Sequence, residues 1–207
     1  YYVFVLLNLT FVKSRKIMKK VLSLSALSFI LAACSTTLPP NAEVVSSKSF
    51  SNKLVSITHE YPSKNNFPVE LKCVTQIVKN DGASLKDSSR AFVGQATGTF
   101  YDYGNNFMVS GGNAVQYADE RTKTIIAKGI DYGNSSFMVN NYISYTLTLE
   151  DKDGITKLTF NDIKQAQEST GFAVNRGFSP ITTNHGPTAN LAYEIINNTA
   201  KRIELCM

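Results

Sequence analysis

The residues best able to do chemistry in this sequence are three cysteines and two histidines. His59 and His185 are far apart in the chain, and neither belongs to a zinc-binding spacing such as H-E-x-x-H. Neighbouring residues on a strand point to opposite faces, so Glu60 is not placed to assist His59. Both histidines are therefore interpreted as surface loop residues, and no metal site or cofactor is expected.

The remaining patterns do not indicate a catalytic protein. The acidic stretch EDKDG, residues 150–154, begins like a calcium loop, but the chain continues as ITKLTFND without the glutamate that such a loop needs at its twelfth position. The sequence also contains no nucleophile elbow, phosphate-binding loop or dinucleotide fingerprint. A non-catalytic binding or structural module is expected. A small periplasmic hydrolase with scattered catalytic residues is the alternative.

Cys34 ends a stretch that has the features of an export signal. Lys19 and Lys20 precede a short apolar segment, and Ala32 and Ala33 precede the cysteine. The apolar segment is shorter than the roughly 20 residues that a membrane span needs. The sequence LAAC closely resembles the lipobox of bacterial lipoproteins. That resemblance implies that Cys34 becomes the N-terminus and carries a diacylglyceryl group in the lipid bilayer.

The signal divides the chain into four expected segments. These are an extension of translated upstream sequence (1–17), a signal peptide beginning at Met18 (18–33), a flexible polar tether rich in serine and proline (34–53) and a single domain (54–207). A membrane segment near residue 1 is the alternative for the extension, but it is also too short. Ser35 is not the aspartate that retains enterobacterial lipoproteins in the inner membrane. The resemblance therefore implies an outer-membrane protein that faces the periplasm or the cell surface.

The net charge of +5 belongs to the export signal. Five of the 21 Lys and Arg residues lie in residues 1–33, whereas all 16 acidic residues follow that segment. The remainder is therefore electrically balanced, and a nucleic-acid-binding face, which needs clustered basic residues, is not expected.

The first elements of the domain are predicted as a strand and a helix. FPVELKCVTQIVKN, residues 67–80, alternates apolar and polar side chains and is rich in β-branched residues, which predicts a strand. Asp87 and Ser88 can cap a helix in which Phe92, Ala96 and Phe100 recur every four residues. A strand is the alternative for that helix because glycine and threonine are frequent there.

Two further strands around a turn at residues 119–122 are followed by the clearest hairpin. YISYTLTLE places alternate residues 143, 145, 147 and 149 on one face, DKDG supplies a turn, and ITKLTF returns. This pattern predicts an antiparallel sheet that is covered on one side. A long connection is expected from about residue 165 to 186. A helix then follows in which Ala192, Ile196, Thr199, Ile203 and Cys206 form one stripe.

Cys73 and Cys206 can form a disulfide bond. An exported protein folds in an oxidising compartment, and packing the C-terminal helix on the sheet would bring Cys206 toward the predicted first strand. Two separate buried thiols are the alternative.

The order of these elements resembles a bacterial family of unknown function with a TBP-like fold. The resemblance covers residues 67–163 and rests on ADERTKTIIAKG followed by YTLTLEDKDGITKLTF. It implies an α+β domain with a strand, a helix and a four-stranded antiparallel meander, with the C-terminal helix packed on one face. It transfers no catalytic residues.

One short sequence occurs twice. DYGNNFMV begins at residue 102 and DYGNSSFMV at residue 131. If both are loops at the same end of a meander, they place Tyr103, Phe107, Tyr132 and Phe137 on one rim, where aromatic side chains suit a protein contact. Two unrelated turns, with the phenylalanines closing the core, are the alternative.

The sequence thus predicts a lipid-anchored envelope protein with an unidentified envelope protein partner. A narrower alternative is an inhibitor or exclusion lipoprotein that blocks an incoming enzyme or phage.

Overall fold

A seven-stranded antiparallel sheet forms the centre of the domain. The computed structural model describes residues 38–46, 52–64, 66–136, 139–183 and 186–207, and the chain from Leu38 to Met207 is one compact unit. The predictions for Cys34, for residues 1–37, for Phe137 and for His185 therefore lie outside the described residues. In chain order the elements are β1 (Ala42–Ser46), β2 (Asn52–Pro62), α1 (Phe67–Ile77), β3 (Ala83–Asp87), β4 (Phe92–Val93), β5 (Phe100–Tyr101), β6 (Asn105–Val109), β7 (Val115–Asp119), β8 (Thr124–Ser136), β9 (Val139–Lys152), β10 (Ile155–Gln167), β11 (Ser179–Pro180) and α2 (Pro187–Cys206).

The predicted four-stranded meander is confirmed. The strands lie in the order β1-β2-β10-β9-β8-β7, with β11 paired to β10, so β7 to β10 are successive neighbours. The hairpin between β9 and β10 turns at Asp153 and Gly154, both of which have positive φ angles. The connection after β10 starts at residue 168, slightly later than expected, and it contains β11.

One face of the sheet, which we call the inner face, is covered by the two helices. Ile143, Leu147 and Leu149 of β9 are fully buried. On β10, Leu158 lies opposite Leu149 and Phe160 lies opposite Leu147. These residues belong to one apolar cluster with the stripe of α2. The α2 helix matches the predicted one, and its residues Ala192, Ile196, Thr199 and Ile203 are buried.

A polar pair is built into this inner face. The Tyr145 hydroxyl donates a hydrogen bond of 2.8 Å to Asp131 Oδ2. The Tyr145 ring lies directly against Gly129, where any Cβ would overlap it, so the neighbouring strand must have glycine there. Burial raises the pKa of the Asp131 carboxyl, and the hydrogen bond from Tyr145 opposes that shift.

Residues 67–77 form a helix, so the strand predicted over residues 67–80 is wrong. Asn66 Oδ1 accepts a hydrogen bond from the Val69 N–H, and proline occupies the first turn. Both features favour the start of a helix. The apolar pattern also fits helical spacing, since Phe67 and Val74 face the core with Glu70 between them. The strand that precedes this helix in the chain is therefore β2.

Part of the predicted tether belongs to the sheet. β1 lies within residues 34–53 and pairs antiparallel with β2, with Ala42 opposite Ile57 and Ser46 opposite Asn52. The polar composition of residues 34–53 concealed the short sequence AEVVS, whose adjacent valines favour a strand.

β3 and β6 form a separate two-stranded sheet, which we call the cover sheet. Ala83 and Leu85 of β3 are buried against Ala166 of β10, and Ile130 and Tyr142 pack around them. The cover sheet therefore lies on the outer face of the main sheet, opposite the helices. The chain enters and leaves it through a tight crossing, since a Cβ on Gly111 would overlap the backbone at Asn80.

Cys73 and Cys206 form a disulfide bond. Their Cα atoms are 5.7 Å apart, and 133 residues separate them in sequence. Because Cys73 lies on α1, the bond joins two helices, whereas the predicted pairing joined a helix to a strand.

Removing this bond should lower the stability of the domain substantially. A loop of this length corresponds to roughly 5 kcal/mol in the chain-entropy model, and strain commonly reduces that figure to about 2–4 kcal/mol. We expect the double variant Cys73→Ser/Cys206→Ser to show that loss in urea unfolding. Peptide maps of the wild type should show the two cysteines linked to each other, with neither thiol free. Two free thiols in the exported wild type would contradict the assignment.

A candidate binding surface built on an aromatic arm

Residues 88–104 form a projecting arm between β3 and β6. Within it, Phe92 pairs with Tyr101 and Val93 pairs with Phe100, so β4 and β5 make a short antiparallel hairpin. The helix predicted to start at Asp87 and Ser88 is therefore wrong, and its stated alternative, a strand, is correct. Gly94 and Gly98 are poor helix formers, and Gly98 has a positive φ angle in the turn that joins the strands.

Three aromatic rings of the arm form one platform. The ring centroids of Phe92 and Tyr101 are 5.2 Å apart, those of Phe92 and Tyr103 are 5.9 Å apart, and those of Tyr101 and Tyr103 are 6.3 Å apart. The ring planes are parallel to within 24°. Because the three distances make a triangle, the rings do not form a single column, and they pack as an offset stacked cluster.

This platform is open to solvent. Phe92 is 51% exposed and Tyr103 is 59% exposed. Further exposed apolar side chains occur on the arm, on β6 and on the loop after β10: Val93, Phe100, Met108, Phe172 and Val174. Where exposed apolar side chains form a patch, they commonly mark an interaction surface.

Asp87 holds the arm to the loop that follows β10. Asp87 Oδ1 accepts hydrogen bonds from the N–H and the hydroxyl of Ser89 and from Asn105 Nδ2. Asp87 Oδ2 accepts one from the Asn175 N–H at 3.0 Å. The side-chain bond from Ser89 contributes most to lowering the pKa of Asp87 to about 2, followed by the backbone bond from Asn175.

A second set of bonds fixes the base of the arm. The Ser88 N–H donates to the Gly171 carbonyl, and its hydroxyl donates to Asp102 Oδ2. Asp102 Oδ1 in turn accepts from the Gly104 N–H. The chain therefore presents the aromatic platform on a fixed base. Sequence reasoning missed this arrangement because its partners are nearly 90 residues apart in the chain.

The two copies of DYGN have different structures. The first leads into β6, and its Tyr103 belongs to the aromatic platform. The second lies inside β8, so the prediction of two loops side by side is wrong. The Tyr132 hydroxyl donates to Glu168 Oε2 at 3.0 Å, and its ring is 5.1 Å from that of Tyr142. Phe107 faces Leu85 across the cover sheet and is partly exposed.

His59 lies in β2 and not in a surface loop, so that prediction is also wrong. Its ring contacts Tyr61 and Phe160, and its buried Nε2 has no hydrogen-bond partner within the described ranges. Burial lowers the pKa of His59, and the charge of Lys201 lowers it further, against a smaller opposing effect of Glu204. The imidazole is therefore neutral at pH 7, and its enclosed Nε2 is not presented to a substrate in solution.

The described ranges contain no group of three or more His, Cys, Asp or Glu side chains arranged to hold a metal ion. Among the helices in this part of the chain, none is both long and apolar enough to cross a membrane.

Comparison with known proteins gives one structural likeness. No protein-family model matches the chain, and no curated protein matches it either. Among solved structures, the chain is similar to a crystal structure of a DUF4468 family protein from Bacteroides ovatus, with a TM-score of 0.41 and 10% sequence identity. The match covers 77% of this chain and 90% of that one. The neighbour thus carries a domain of unknown function.

Replacing Asp87 should release the arm while the main sheet stays folded. In Asp87→Asn the carboxylate that accepts these bonds is gone, so we expect faster amide exchange in residues 88–104 and 170–175, with unchanged protection in β8 to β10. Because the folded-state pKa is lowered, the wild type should lose the same protection as the pH falls from 3.8 to about 2. Glu120→Gln, at an exposed turn, is the control. Uniform loss of protection across the domain would contradict a local role.

Proposed function

We propose that this protein is a lipid-anchored protein of the bacterial envelope whose domain binds another envelope protein through the aromatic arm. The sequence LAAC and the export signal before it support an anchor at Cys34 and a place in the outer membrane. The arm supports a binding role. A TBP-like relationship is part of the same proposal, and the four-stranded meander with helices on one face supports it.

The observation that carries the proposal is the exposed platform of Phe92, Tyr101 and Tyr103. Large aromatic side chains are enriched at the centre of protein interfaces, where a few of them supply most of the binding free energy. Residues with charged side chains are scarce within the arm itself, where Arg90 and Asp102 stand near its two ends. A partner can therefore cover the centre of the platform without removing water from a charged side chain.

Fixing the platform in advance also favours binding. Ordering of loops and side chains on association costs free energy, and a surface that is already held avoids much of that cost. The Asp87 bonds and the contacts among the three rings hold the platform before any partner arrives. The arm also contains Thr97 and Thr99, whose hydroxyls can supply hydrogen bonds of an interface rim.

The anchor is tested by changing Cys34. Stable attachment needs two lipid signals, which a diacylated cysteine supplies, so Cys34→Ala should be found in the soluble fraction or unprocessed in the inner membrane. Mass spectrometry of the wild type should find an acylated N-terminal peptide, and Ser35→Ala should keep it. A fully soluble wild type without an acylated cysteine would overturn this part of the proposal.

The platform is tested by a double substitution. Phe92→Ala/Tyr103→Ala should weaken partner capture by about thirtyfold or more, because hot-spot truncations cost at least about 2 kcal/mol. The unfolding free energy should fall by only about 1 kcal/mol, since both side chains are exposed and lose mainly their ring contacts.

Capture is measured by placing a photo-crosslinking amino acid at Phe100 in intact cells. One discrete protein adduct is expected there, and the double substitution should remove it. Tyr117, similarly exposed on the opposite edge of the sheet, is the control position. Identical adducts from both positions, or none at Phe100, would refute the proposed surface.

A further inference from the structure

Glu70 is an unusual member of the core because its buried carboxyl group has no hydrogen-bond partner among the described residues. The residue is 1% exposed, and neither Oε1 nor Oε2 accepts a hydrogen bond within this part of the chain. It lies on α1, between the buried residues Phe67 and Cys73 of the same helix. An ionised carboxylate in such a place is strongly disfavoured, so the group must either keep its proton or leave the site.

A second buried carboxyl group acts electrostatically on Glu70. Asp151 is on β9, its side chain is only 2% exposed, and its Oδ2 has no hydrogen-bond partner among the described residues. The ammonium group of Lys123, from the turn between β7 and β8, is 3.6 Å from that oxygen. One ammonium group can balance only one negative charge, so ionising Glu70 beside this ion pair would leave a buried charge uncompensated.

The electrostatic surroundings agree with this geometry. Burial contributes most to raising the pKa of Glu70, and the charge of Asp151 raises it further, while Lys123 lowers it. Of the charged groups on α2, Lys201 and Glu204 act on His59, and Glu204 also acts on Tyr61. The charged groups that act on Glu70 lie on β9 and on the turn before β8.

Apolar contacts account for only part of what holds α1 in place, although Leu71 and Ile77 also pack against the core. Its buried residues are Phe67, Glu70, Cys73 and Val74, so a carboxyl group and a disulfide sulfur occupy half of its buried positions. It is 11 residues long, and an isolated helix of that length is marginal in water. Cys73, one turn beyond Glu70, binds it covalently to Cys206 at the end of α2.

We propose that α1 is a proton-controlled latch in which Glu70 stays protonated while α1 is docked, and that the Cys73–Cys206 bond keeps α1 docked when Glu70 ionises. With the bond intact, α1 stays in place at any pH near neutrality. An external dithiol can reduce the bond: it becomes a disulfide itself, and Cys73 and Cys206 become two thiols. Once the bond is reduced, ionisation of Glu70 lets α1 separate from the sheet and unfold. The helix therefore separates only when two conditions are met together: the disulfide is reduced and the pH is above the acidic range. It does not depend on partner binding by the arm.

The direction of the pH effect follows from the raised pKa. The folded protein holds the Glu70 proton more tightly than the unfolded chain, so stability is greatest below the ordinary value of 4.5. It decreases as the pH rises from 4.5 through the folded-state pKa, and above that it stays level. Most buried carboxylates that accept hydrogen bonds show the opposite trend, as Asp87 does.

The latch is tested by hydrogen exchange of α1 on the purified full-length chain at pH 5 and pH 7.5, after correction for intrinsic rates. Cys206→Ser breaks the disulfide at an exposed position and leaves the sequence of α1 unchanged. In this variant, protection of residues 71–77 should fall at least about tenfold at the higher pH, because an ionised carboxylate is strongly disfavoured in the buried site of Glu70. The wild type should remain protected at both pH values.

Glu70→Gln separates the latch from a merely weakened helix. Added to Cys206→Ser, it should restore protection of α1 at pH 7.5, because an amide has no proton to lose there. Glu194→Gln, an exposed glutamate on α2, is the matched control and should change nothing. Equal protection at both pH values in Cys206→Ser, or equal loss with and without Glu70→Gln, would overturn the proposal.

A second measurement covers the case in which Cys206→Ser does not fold. In the disulfide-bonded protein, Glu70→Gln should raise the melting temperature at pH 7.5 by about 2–4 °C relative to its effect at pH 4, a shift typical of a modest stability gain in a domain of this size. A pH-independent effect, or a loss at pH 7.5, would also reject the latch.

Discussion

The register among β8, β9 and β10 places alternate side chains of β9 on opposite faces, and both layers of the domain rely on that alternation. Residues 143, 145, 147 and 149 face the helices, while Tyr142 and its even-numbered neighbours face the cover sheet. A slip of one residue would send the whole apolar set to the wrong face. The contact between Tyr145 and Gly129 makes such a slip more costly, because only glycine leaves room for the ring.

The two layers on this sheet differ in how they are attached. On the inner face, α2 contributes a continuous apolar stripe, whereas α1 contributes two apolar residues, a carboxyl group and a disulfide. On the outer face, the cover sheet buries only a small cluster around Leu85 and is fixed largely by backbone hydrogen bonds and by Asp87. The main sheet and α2 thus share the larger apolar core, while α1 and the cover sheet lie on opposite faces of the main sheet.

Sequence patterns were reliable where burial is one-sided and regular. The alternation in YISYTLTLE and the spacing of Ala192, Ile196 and Ile203 correctly predicted the central hairpin and α2, because each has one buried face. They failed for residues 67–77, where an alternating stretch also fits a helix. In that case the cap at Asn66 and the following proline were the features that indicated a helix. The aromatic platform was beyond sequence reasoning, since exposure of Phe92 depends on contacts with residues near 175.

The pairing of Asp87 with Asn105 has a consequence for how this fold can vary. These two residues are opposite each other in the cover sheet, so the chain enters and leaves residues 88–104 at adjacent points. A two-residue turn could close the same gap, since paired strands are only about 5 Å apart there. The arm is thus an insertion into an otherwise complete hairpin. Its length can therefore change without altering the register of the sheet that carries it.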